Sequence, residues 1–522
     1  MLVEERRMRL GALRQECLEL EAQLRQKRQE MSQLAPVYTL PGEIVAMTLT
    51  LAYQHRFPFC RLDDGRPHTN SPIVISHVSR WWRKQALQLP FIWACIHVTH
   101  EQPPRFAEMI KAYVARSRDL PLSVSFQCTK RDPDAGHDHD RPFFPQIPWA
   151  EFYVDYWPRF KASWDFLLEE NHRWKNCSIY LGHQESTLQI ISSLRGSHLP
   201  LLEYLGISVG DEDYPNVGLR IEAPNLTDIR TEGWSLVVRE PHTLFHHLTD
   251  VKIHGLSCGI GRLMTVLAEA AGTLERLSLS DGHFQHDDLP DTVPSPVLPK
   301  LTYLVMESIE DVDLHGDQRT LPTICRAAVV LETLIITSLN DLCSGRIRLP
   351  QLRTLVLAHS YSSIPANGTE LFLATPSLET LQLSTVWELP LWLHEAIATD
   401  TAAGACRAWP KMHSMVLLNV FDLQAIRAFA QHRVGIGKPL RRLVLSDGPL
   451  VEDGLAALEE VQLLEVAVHS QVLNETWALM GSPSLWWDVD ADKPAFVPWK
   501  GSFSFDDQFD RQPGMRWRLV RE

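Results

Sequence analysis

Short stretches of the form L-x-x-L-x-L, with other apolar residues allowed at the leucine positions, begin at positions 202, 226, 248, 274, 301, 331, 352, 378, 412, 440 and 463. The clearest are LERLSL from Leu274, LRTLVL from Leu352, LETLQL from Leu378 and LRRLVL from Leu440. Alternating apolar residues make a short strand with one buried face. Intervening segments such as RLMTVLAEAA (Arg262 to Ala271) and LQAIRAFA (Leu423 to Ala430) space their apolar residues as helices do. One strand with one return helix cannot bury its own apolar side, so such units must stack on their neighbours. The pattern therefore predicts an α/β chain built as an elongated array.

The mean spacing is about 26 residues, inside the roughly 20–29-residue period of leucine-rich repeats. Individual intervals run from 21 to 34, so the solenoid expected over residues 199–470 is irregular. Prolines stand just ahead of several predicted strands (Pro200, Pro224, Pro299, Pro350, Pro376, Pro410 and Pro439), where a residue without a backbone donor suits a corner. Weaker copies at Trp93-Ile96-Val98, Leu122-Val124-Phe126 and Cys177-Ile179-Leu181 place irregular first repeats over 98–198. Within them KRDPDAGHDHDRP, from Lys130 to Pro142, reads as a polar, mobile insertion. The period is lost from Val472 onward, and residues 471–522, with Trp477, Trp486, Trp487, Trp499 and Trp517, read as a C-terminal cap or tail.

Two segments precede the array. In residues 1–36, Val3, Leu10, Cys17, Leu24 and Met31 fall seven apart, and Leu13, Leu20 and Leu34 fill the companion row that Arg6 and Lys27 interrupt. This predicts an N-terminal helix, ended at Ala35-Pro36, that either self-associates as a short coiled coil or lies on the body. Residues 37–97 read as a small all-helical module. Pro41 and Glu43 suit a first helical turn, and Ile44, Met47, Leu49 and Leu51 supply an apolar side. A second helix from Ser71-Pro72 is expected to carry Ile75, Val78, Trp82 and Ala86 on one face beside basic Arg80, Arg83 and Lys84, with Pro90 and Trp93 ending it.

These residues resemble the F-box family, in particular fungal-type F-box proteins with irregular leucine-rich repeats. Leu40-Pro41-x-Glu43-Ile44 is similar to the opening motif of an F-box, and VSRWWRKQA (Val78 to Ala86) to its second signature. Pro90, Trp93 and Ile96 match the usual exit, and RSRDLPLSVSF (Arg116 to Phe126) resembles the strand that follows in that group. The chain departs from the pattern in a longer polar stretch between Gln54 and Asn70, in Ser79 where cysteine is common, and in Trp81 where a charged residue is common. The resemblance implies docking to a Skp-type adaptor, and through it to a cullin–RING ubiquitin ligase. Carried onto matching positions, it gives Leu40, Pro41, Ile44, Val45, Val78 and Trp82 as adaptor-binding residues. A client protein would then bind the outward strand positions, for which Tyr204, Arg276, Tyr303, Arg353 and Arg442 are candidates; Val305, Ile335, Val356 and Val444 form an apolar stripe among them. The expected function is substrate recognition for an SCF-type ligase, with an interaction scaffold not used in ubiquitination as the alternative.

Other chemistry finds little support. A net charge of −14 argues against a nucleic-acid scaffold. Nine scattered cysteines without a CxxC pair suggest small buried hydrophobes in a reducing compartment, the cytoplasm or nucleus. No apolar run is long enough to predict a membrane span. Gly206-Ile207-Ser208-Val209-Gly210 matches a nucleophile elbow in letters, but DEDYPNVG after it is a poor helix. GIGK at Gly435 to Lys438 runs into Pro439 and lacks the hydroxyl residue of a phosphate loop. His137-Asp138-His139-Asp140 lacks supporting residues, and His242, His246 and His247 lack the glutamate of a zinc-protease helix. A non-catalytic protein without cofactor or metal is expected.

Overall fold

The structure is a computed structural model that describes residues 2–33, 40–56, 71–99, 106–128, 157–181, 184–209, 221–232, 245–255, 257–280, 282–285, 296–307, 310–311, 320–337, 342, 347–357, 368–384, 389–418, 423–445 and 465–468. Helices and strands are mixed, and the dominant feature is one parallel sheet of fourteen strands. In spatial order these are Cys95–Thr99, Leu122–Cys128, Trp174–Leu181, Tyr204–Val209, Asp228–Glu232, Asp250–His254, Arg276–Ser280, Tyr303–Glu307, Thr333–Ile336, Thr354–Leu357, Thr380–Ser384, Ser414–Leu418, Arg442–Leu445 and Glu465–Val468. Spatial order equals chain order throughout. Parallel neighbours need a crossover connection. Helices Phe106–Ser117, Trp157–Glu169, Gln184–Leu194, Ile260–Glu269, Thr320–Ala327, Gly368–Ala374, Leu389–Ala403 and Leu423–Gly435 lie in such connections.

The strand register turns the sequence pattern into columns. Ile96, Val124, Cys177, Leu205, Ile229, Val251, Leu277, Leu304, Leu334, Leu355, Leu381, Met415 and Leu443 are successive cross-strand partners, and all are buried. Two residues along each strand runs a second buried column, from Val98 through Phe126, Ile179 and Ile207 to Leu417 and Leu445. Its one polar member is Thr231, between Ile207 and Ile253, whose hydroxyl is buried without a hydrogen-bond partner. The inward helix faces close this core. Near its start the packing is aromatic, with Phe126 edge-on to Trp164 at 4.6 Å and Trp164 to Trp174 at 5.8 Å.

The prolines have a specific post. In Leu199-Pro200-Leu201-Leu202 the Leu202 amide donates to the Leu199 carbonyl at 3.2 Å, a four-residue turn with proline second. The same turn, with proline at the same place, recurs at 223–226, 298–301, 349–352, 375–378 and 409–412. Proline's fixed φ suits that position of a tight turn. Pro439 breaks the series: there the helix Leu423–Gly435 ends through Gly437 at φ 73°, and Lys438 N donates to Arg433 O at 2.9 Å. Beyond five of these six turns two successive amides converge on the carbonyl of the residue just ahead of the preceding strand, as Thr302 and Tyr303 do on Glu275 O at 3.0 and 3.1 Å.

The N-terminal segment is one helix, Leu2–Gln33, and the module that follows consists of Gly42–Arg56, Ser71–Val78, Arg80–Gln88 and a 3-10 turn at Pro90–Trp93. The single helix expected from Ser71 to Ala86 is therefore two. Ser79 is extended (φ −161°, ψ 171°) and its hydroxyl accepts from Trp82 N at 3.2 Å, capping the second helix. Trp93, expected to open a strand, lies in the 3-10 turn, and the strand begins at Cys95. The Lys130–Pro142 insertion and the tail from residue 471 lie outside the described residues.

Candidate functional site: two protein-docking surfaces

The module is built from its inner side outward. Val45 and Leu49 from the first helix, Ala86 from the third, and Ile92 and Trp93 from the 3-10 turn are buried. Trp93 fastens this layer: its indole N–H donates to Ala86 O at 2.8 Å, and its ring meets Tyr113 edge-on at 5.0 Å. The Arg116 guanidinium lies 4.4 Å from the Trp93 ring centre. Ala86, Ile92 and Trp93 belong to the same continuous core as Ile96 and Val98 of the first strand. The third helix and the 3-10 turn of the module thus share their core with the first strand of the sheet.

Other apolar side chains of the module are left exposed. Leu40, Ile44, Met47, Val74 and Val78 are apolar and between 41 and 63% exposed. Pro41 is exposed too, and its carbonyl accepts from Ile44 N at 3.0 Å and Val45 N at 3.2 Å, which fixes the start of the helix. Exposed Arg80, Arg83 and Lys84 add positive charge beyond Val78. Of the six residues assigned to adaptor binding, Leu40, Pro41, Ile44 and Val78 are among these exposed residues. Trp82 is half-buried and edge-on to Trp81 at 5.5 Å. Val45 is a correction: at 2% exposure it belongs to the inner layer and is not available to a partner. Met47 and Val74 add to the exposed set; their helical spacing from Ile44 and Val78 was the signal for them.

The second surface is the sheet face opposite the helices. Tyr204, Asp228, Asp250, Arg276 and Tyr303 are successive partners in one column that continues through Thr333, Thr354, Thr380 and Ser414 to Arg442. Four of the five client-binding candidates are therefore aligned. Arg353 is not among them: it precedes its strand by one residue, and its place in the column is taken by Thr354. Tyr204 is also less available than expected, being 5% exposed.

Between the candidates lies a charge network that motif reading passed over. Arg276 Nη2 is 2.8 Å from Asp250 Oδ2, Lys252 Nζ is 4.0 Å from the same oxygen, and Arg230 Nη2 is 3.3 Å from Asp228 Oδ2. The Arg230 guanidinium carbon sits 5.3 Å from the centre of the Tyr204 ring. Burial raises the Asp228 carboxyl above its ordinary range, outweighing the attraction of Arg230. Burial likewise lowers Lys252, against the pull of Asp250. Next to this patch Val305, Ile335 and Val356 form a small apolar cluster with Tyr303. All three, and Val444, are under 9% exposed, so the expected stripe exists but is not bare. Face-on, the surface is an ion-paired region beside a covered apolar one.

Ser208 lies within the strand Tyr204–Val209 and is buried, so it lacks the strand-to-helix elbow of a nucleophile. His246 and His247 are exposed, with His246 Nδ1 3.1 Å from Glu269 O; His242 and His137–Asp140 lie outside the described residues. Among the described residues no group of three or more His, Cys, Asp or Glu side chains is placed to hold a metal, and no helix is long and apolar enough to cross a membrane. No known protein-family model matches the chain, and no characterised protein matches it significantly in sequence.

Proposed function

We propose that this chain is the substrate-recognition subunit of an SCF-type cullin–RING ubiquitin ligase, binding a Skp-type adaptor through an F-box over residues 37–97 and a client through a leucine-rich-repeat solenoid. The observation that carries this reading is the two-sidedness of the module. Val45, Leu49, Ala86, Ile92 and Trp93 are spent on the chain's own core, while Leu40, Ile44, Met47, Val74 and Val78 are left outside. Exposed apolar side chains on helices whose other side is buried are what a docking site requires. The motif letters Leu40-Pro41-x-Glu43-Ile44 fall among them. The mechanism needs no catalytic side chain: the array holds the client near a transfer enzyme and raises its effective concentration there.

The test is capture of a Skp-type adaptor by the intact chain and by the Leu40→Ala/Pro41→Ala variant. Anchors of this kind each contribute about 1–2 kcal/mol or more, so the double variant should bind at least about tenfold more weakly. Its thermal unfolding should match that of the unmodified chain, since neither side chain is buried. Equal capture by both proteins sinks the adaptor assignment; no capture by either favours an interaction scaffold outside ubiquitination.

A further inference from the structure

Between Arg9 and Lys27 no side chain of the helix Leu2–Gln33 is buried, unlike the helices that lie between the strands. Leu10, Leu13, Leu20 and Leu24 are all more than half exposed, with an exposed Cys17 between them. Their alternating three- and four-residue spacing makes one continuous apolar seam on the helix. We propose that a second copy of this chain covers this seam, its helix running in the opposite direction.

The charges beside the seam choose both partner and direction. In a parallel pair in register, the residue before each first seam position faces the residue five further on in the other copy. Arg9 would then face Arg14 of the second copy, and Glu16 would face Glu21, each clash occurring twice. Reversing one helix relieves this. With Leu10 opposite Leu20 and Leu13 opposite Cys17, two-fold symmetry repeats each layer, and four layers are filled without a charged residue. Arg14 then faces Glu21 of the second copy on one flank, twice, while Glu16 meets its own counterpart once at the two-fold axis. The run holding Arg9 and Arg14 lies beside the run holding Glu16, Glu19 and Glu21. The intrahelical Arg25–Glu21 contact, 3.5 Å long with both side chains solvated, is exchangeable and does not oppose this.

So short a seam gives a weak, concentration-dependent dimer. The inference stands apart from the ligase reading, because the seam ends before Leu40 and shares no residue with the proposed adaptor face.

The experiment is sedimentation velocity on the full chain over a range of concentrations. The unmodified chain is expected to pass from monomer to dimer. Leu13→Asp/Leu20→Asp, which charges two layers in each copy, should raise the dissociation constant by about a hundredfold or more. That variant should keep its thermal unfolding and its adaptor capture, which separates failure here from failure of the ligase reading. Direction is read from Leu13→Cys under mild oxidation: peptide mapping should find Cys17 joined to the new cysteine of the other copy. A monomer at every concentration, an undiminished dimer in the double variant, or a crosslink of like positions or none in the Leu13→Cys dimer would each overturn the proposal.

Discussion

Among single residues, Arg433 holds the most together. It is 1% exposed, and its guanidinium donates to Trp409 O at 3.1 Å, Met412 O at 2.7 Å, Ala408 O at 3.4 Å and Cys406 Sγ at 2.9 Å. One side chain thereby satisfies the carbonyls of the turn that feeds the strand Ser414–Leu418, around a Trp409 held at φ 47°. Asp400 supports the same turn from the preceding helix, its Oδ1 accepting from Arg407 N at 2.6 Å and Ala408 N at 2.7 Å. Arg433→Met should cost about 3 kcal/mol in chemical denaturation, since buried carbonyls lose their donor. Arg433→Lys should rescue little, because an ammonium cannot span carbonyls that far apart. Asp228 behaves oppositely. Its folded pKa is raised, so the native state binds the proton more tightly and this site's contribution is fully present below the unfolded carboxyl value and lost as pH rises through the folded one. The stability of the unmodified chain relative to Asp228→Asn should therefore fall as pH rises above about 4; a flat difference would remove burial as the dominant influence there.

At the scale of elements, the repeated turn and the paired amides beyond it set where each strand starts. Pro350→Ala keeps the Leu352-to-Leu349 hydrogen bond and should lower stability by only about 0.5–1 kcal/mol, through a freer unfolded chain. Gly11→Ala should strengthen the N-terminal helix by about 1 kcal/mol, because a methyl group there meets nothing within 4 Å; helicity by circular dichroism measures it. These elements also mark how much of the structure the residues disclose in advance. Period-two leucines and valines made the strands legible, since each strand declares its buried face alone. The join at Ser79 did not show, because apolar residues continue across it at helical spacing and only the cap geometry interrupts them. Four aligned sheet-face candidates were legible from their place in the motif. Asp228, Arg230, Asp250 and Lys252 were not, because their meeting depends on lateral register between strands 22 residues apart in sequence. Val45 and Tyr204 were misjudged because a side chain's depth depends on neighbours that the local pattern omits.

For the whole molecule, the module proposed as a docking surface also packs against the first strand of the sheet. Removing residues 37–97 would strip Ala86, Ile92, Trp93 and Ile96 from the core that contains Val98. Such a deletion should lower the melting temperature of the remainder, so loss of a partner on deletion says little about docking. Trp93→Ala should reproduce the effect, at about 3–5 kcal/mol, whereas Leu40→Ala/Pro41→Ala should not. Differential scanning calorimetry of the three proteins distinguishes the roles; equal melting temperatures would mean that the module does not brace the array.

Chain order and spatial order coincide across these fourteen strands, so none of them pairs, within the sheet, with a segment made much later. During synthesis each newly emerged strand finds its template already exposed on the portion that left the ribosome before it. Growth by accretion of this kind spares the nascent polypeptide a long wait with its apolar columns uncovered.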